Sequence, residues 1–67
     1  MNEMSLLKAR YDAASEAYRE ITTRNARQAL KGVRPSDEDF ELEDVAQEEL
    51  ATARRAYLES LRVAAMH

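Results

Sequence analysis

The side chains with chemical potential fall into two charged blocks, one on each side of the chain's single Gly–Pro break. Arg24, Arg27, Lys31 and Arg34 recur at steps of three and four, which lines them along one side of a helix. Such a row can track phosphates, and it makes nucleic acid, RNA in particular, the alternative partner. Beyond the break stand Asp37, Glu38, Asp39, Glu41, Glu43, Asp44, Glu48 and Glu49 with no basic residue among them. A metal or a basic partner would suit such a run. It lacks the D-x-D-x-D-G order of a calcium loop, however, because no Gly follows Pro35. The simpler reading is a first helical turn that complements the helix dipole, followed by a solvated face balanced by the basic row.

No set of residues supports catalysis. His67 is the only histidine and the last residue; with no second nitrogen or sulfur ligand it reads as a frayed terminus. Ser5, Ser15, Ser36 and Ser60 have no histidine nearby to act as base. Carboxylates are plentiful, yet nothing predicts a desolvated pocket that would raise the pKa of one of them. The expectation is a protein that is not an enzyme, with no catalytic residue, no cofactor and no metal.

The elements that carry these groups follow from spacing. Met4, Leu7, Tyr11, Ala14, Tyr18 and Ile21 form one apolar stripe at helical period, and Leu42, Val45, Ala46, Leu50, Ala53, Tyr57, Leu61 and Ala64 form a second. Asn25 and Gln28 extend the first stripe with polar residues, either fixing register or turning to water as the helix drifts. Tyr11, Tyr18 and Tyr57 sit in the stripes, where packing is the simpler role and a recognition patch the alternative.

Asn2 is a good N-cap with Glu3 in the first turn, and Gly32 suits the left-handed position after a helix end. Pro35 blocks continuation, while Ser36 with Asp39 three residues on reads as a capping box; a start near Phe40 with Asp39 as cap is the alternative. One domain over residues 1–67 is predicted: a helix over about 3–31, a turn over 32–36 and a helix over 37–65.

Folding back places residues whose numbers sum to about 68 at one level. Arg24 is then predicted near Asp44, Arg27 near Glu41, Asp12 and Glu16 near Arg54 and Arg55, and Glu3 near Arg62. Glu16–Arg19, Glu20–Arg24 and Glu59–Arg62 have the spacing of pairs within a helix.

At 67 residues with no cysteine, the chain has few means of holding a small core together. A domain of this size buries only about 60% of its unfolded surface, and twelve of its hydrophobic residues are Ala, which bury little. Oligomerisation is the remaining remedy. The fold class is therefore all-α: an antiparallel two-helix hairpin, coiled-coil-like in composition, that dimerises into a four-helix bundle. The predicted packing set for core and dimer is Leu7, Tyr11, Ala14, Tyr18, Ile21, Leu42, Ala46, Leu50, Ala53, Tyr57 and Leu61. In length, acidity and expected topology the chain is similar to the helical-hairpin dimers of the Rop type, in architecture alone.

A net charge of −3 argues against a strong nucleic-acid field. No apolar stretch has the length of a membrane span, and the N-terminus lacks a basic start and a continuous apolar segment. A cytoplasmic location and no membrane association are expected. The function class that fits is a protein–protein interaction module, an adaptor, regulator or assembly factor of bacterial or phage type. It would act on itself as a homodimer and on an unidentified protein through Arg24, Arg27, Lys31, Arg34, Glu41 and Asp44.

Overall fold

The computed structural model describes residues 2–66, and among them two helices account for all but the ends and one short turn. Helix α1 spans Glu3–Leu30 and α2 spans Asp37–Ala65, with no strand among the described residues. They lie side by side and antiparallel in a rod of 53 × 17 × 16 Å.

Each helix end is closed by the chemistry its sequence offers. The Asn2 side chain accepts from the Ser5 amide at 2.8 Å, satisfying one of the free donors of the first turn. Helix α1 ends in a Schellman motif, in which the Gly32 amide donates to the Ala29 carbonyl at 3.0 Å and the Val33 amide to that of Gln28 at 2.8 Å. Gly32 has φ +79°, a conformation in which any Cβ is strained. Lys31 is the cap residue itself, just beyond the last helical position.

At the start of α2 the Ser36 hydroxyl accepts from the Asp39 amide, and the Asp39 carboxylate accepts from the Ser36 amide at 2.9 Å. This reciprocal box places the start at Ser36 and not at Phe40. Ser36→Ala is expected to cost about 1 kcal/mol, read as a lower urea midpoint with an unchanged slope.

The seam between the helices keeps a heptad rhythm. On α1 the residues turned inward are Met4, Leu7, Tyr11, Ala14, Tyr18, Ile21, Asn25 and Gln28, all buried or half-buried. On α2 they are Asp39, Glu43, Ala46, Leu50, Ala53, Tyr57 and Ser60. Ala46 and Ala53 are the only buried apolar residues among those described, at 5% and 1% exposure. These small side chains let the helices approach closely, and no large side chain is fully covered. The Tyr11 and Tyr57 rings meet across the seam at 5.7 Å between centroids, tilted by 35°.

The second stripe therefore differs from its sequence-based prediction. Leu42, Val45, Leu61 and Ala64 lie outside the seam, exposed, while Asp39, Glu43 and Ser60 take inward positions. The cause is geometric: Ala46, Leu50, Ala53 and Tyr57 fix a 3.5-residue period that, continued in both directions, reaches Glu43 and Ser60 instead of the neighbouring leucines.

Candidate protein-interaction surface

The two charged blocks do come together at the turn end, though with different partners from those predicted. Arg24 Nη2 meets Asp39 Oδ1 at 3.4 Å, not Asp44. Arg27, Lys31, Arg34, Glu41 and Asp44 are exposed and make no ion pair within the described residues. Further along, Asp12 pairs with Lys8 and not with Arg54 or Arg55, and Arg62 pairs with Glu59 at 3.7 Å in place of Glu3. Glu59–Arg62 is the predicted pair within a helix that forms; Glu16–Arg19 and Glu20–Arg24 do not close. The sum rule gives the level of a residue along the rod but not its direction around the helix, so residues at one level can point apart.

Beside the Arg24–Asp39 pair, Asn25 is buried at 7% exposure, its Nδ2 donating to Glu43 Oε1 at 3.3 Å. Its Oδ1 is buried without a donor. Of the two readings of Asn25, the inward one is what the structure shows. Gln28, one step on, is half-buried.

Asp39 has three reasons to stay ionised. The Ser36 amide and hydroxyl bonds hold its carboxyl below the ordinary value near 3.8; burial opposes them, and the Arg24 charge adds a smaller lowering. A pKa lower in the folded chain than in the unfolded one contributes stability above the unfolded value, which is lost as pH falls through the folded value. Acidification below about pH 4 is therefore expected to loosen the start of α2. In Asp39→Asn that part of the acid transition should vanish, as followed by amide exchange at the turn end. Lys8 is shifted upward, chiefly by its hydrogen bond to Asp12 and against slight desolvation.

Tyr11, Tyr18 and Tyr57 are half-buried in the seam rather than displayed as a patch. Tyr11 and Tyr18 still edge an open groove with Ser15, Gln47, Leu50, Ala51 and Arg54. Among the described residues no cluster of three or more His, Cys, Asp or Glu side chains could hold a metal ion. His67 and Met1 lie outside the described residues. No described helix is long and apolar enough to cross a membrane.

Apolar surface is left on the outside of the hairpin, as the width of the stripes predicts for Leu6 and Leu58. Leu6, Phe40, Leu42, Val45, Leu58 and Val63 are 43–56% exposed. Comparison with family models, with curated proteins and with solved structures gives no match.

Proposed function

We propose that the chain is a small non-enzymatic protein–protein interaction module, an adaptor, regulator or assembly factor, acting in the cytoplasm as a helical-hairpin homodimer whose two copies close a four-helix bundle. The observation that supports this reading is how little the hairpin covers by itself. Ala46 and Ala53 are the buried apolar residues, while six larger ones along the rod stand about half exposed. Exposed apolar side chains in this number on so small a chain favour an interface, and closed twofold pairing is the commonest way to cover them.

The partner surface we propose is the turn end, where Arg34, Lys31, Glu41 and Asp44 carry charges that form no ion pair among the described residues. Affinity capture from the native host followed by mass spectrometry tests it. Arg34→Glu with Asp44→Lys should lose the partner captured by the parent chain and keep the oligomeric state. Equal capture by both would move the site elsewhere. The nucleic-acid alternative predicts a gel shift with steep salt dependence, and no shift at about 50 mM salt removes it. It is weakened by Arg24, the first member of the basic row, which already faces Asp39.

A further inference from the structure

We infer that the homodimer forms through one flank of the hairpin, with the two copies antiparallel so that α1 lies on α1 and α2 on α2; this deepens, and rests on, the homodimer reading above. The seam leaves two flanks, and the surface grooves show which residues share one. Arg10, Ala13, Ala17 and Glu49 line one hollow, and Glu3, Ala56 and Val63 line the next along the rod. Carried on by heptad steps, the same flank takes in Leu6, Glu20, Arg24 and Arg27 from α1 and Leu42, Val45, Thr52 and Glu59 from α2.

Charge complementarity selects a second copy as occupant and fixes its direction. With a twofold axis running across the ribbon, Glu3 of one copy meets Arg27 of the other, Arg10 meets Glu20, and Ala13 meets Ala17. All three pairs are centred on residue 15 of α1. Helix α2 gives the same centre independently. Tyr11 stands level with Tyr57 and Asn25 with Glu43, so residue 15 is level with residue 53. The exposed Leu42 and Val63, set against each other, are centred between residues 52 and 53.

Glu3, Arg10, Glu20 and Arg27 are exposed and form no ion pair among the described residues, so they are available to the second copy, whereas Arg24 and Glu59 on the same flank already pair with Asp39 and Arg62. Centred on residue 15, the two copies overlap over about 40 Å of the 53 Å rod, roughly 650 Å² of a 17 Å wide flank per copy, somewhat under the ~800 Å² per partner of a standard stable interface.

The other arrangements pair badly. Parallel copies, with α1 on the other copy's α2, bring Arg10 towards Glu59 but set Glu20 towards Glu49 and leave Glu3 and Arg27 without partners. On the opposite flank the same axis sets Leu61 against Asp44 and Leu58 against Gln47. The antiparallel pairing also leaves Lys31, Arg34, Glu41 and Asp44 at the two ends of the assembly, free for an outside partner.

Sedimentation equilibrium on charge variants tests this. Arg10→Glu should weaken the dimer about tenfold or more by setting like charges opposite each other twice, and Arg10→Glu with Glu20→Arg should restore it. Single cysteines give a second measurement, because the chain has none of its own. Thr52→Cys, beside the axis, should form a disulfide-linked dimer on mild oxidation, and Ala51→Cys on the opposite flank should not. A parent chain that dimerises while Arg10→Glu has no effect, the swap fails to restore, or only Ala51→Cys links would overturn this flank and leave the homodimer standing. A monomeric parent chain would overturn both.

Discussion

Ala46→Asp is expected to unfold the chain at micromolar concentration, while Ala51→Asp, five residues on, leaves it folded. Ala46 is 5% exposed at the helix–helix contact, one turn from the carboxylate of Glu43. A carboxylate there adds a second negative charge beside Glu43, and Arg24 at the same end is already paired with Asp39. Burying an unpaired charge costs about 3 kcal/mol or more, which is most of the stability of a domain this small. At exposed Ala51 the same substitution changes only helix propensity, by less than about 0.7 kcal/mol. Far-UV circular dichroism against urea reads both variants, and equal midpoints would show that the seam is not where the structure puts it.

The opposite effect is expected at the polar end of the seam. Asn25→Leu combined with Glu43→Leu should raise stability by about 1–3 kcal/mol, since a long 3.3 Å hydrogen bond and a buried oxygen without a donor are exchanged for apolar contact. Asn25→Leu alone should gain much less, because Glu43 is then half-buried without its donor. The gain should come with a loss of definition. A buried polar pair penalises any sliding of one helix along the other, and without it the seam of small and apolar residues accepts neighbouring registers. A second set of amide resonances in the double variant is the expected sign. A single set with unchanged stability would mean that Asn25 and Glu43 do not set the register.

Most of the local structure was legible in the residues. Asn2, Gly32, Pro35 and the Ser36–Asp39 spacing each have one conformational use, and the helix ends fall where those uses put them. The first stripe also lies inward as read. The second stripe departs from its spacing at the ends, where the hydrophobicity of Leu42 and Leu61 points to the seam and the structure leaves both exposed. The structure gives inward positions to Glu43 and Ser60, held by Asn25 and Met4 across the gap. What is covered within one chain follows the 3.5-residue period, and at Leu42 and Leu61 hydrophobicity and period disagree. The ion pairs were misplaced for a related reason: Arg24 and Asp44 share a level, yet direction around the helix brings Asp39 to the guanidinium. The candidate partner residues are placed together at the turn end, and their role awaits the charge reversals described above.

In the homodimer we propose, the hairpin reaches its stability by sharing apolar surface with another copy. The direct measurement is sedimentation equilibrium paired with thermal melting of the same samples over about a hundredfold range of concentration. Mass action predicts a species of twice 7.7 kDa and a melting midpoint that climbs with concentration. A 7.7 kDa particle with a sharp, concentration-independent melt would contradict the account.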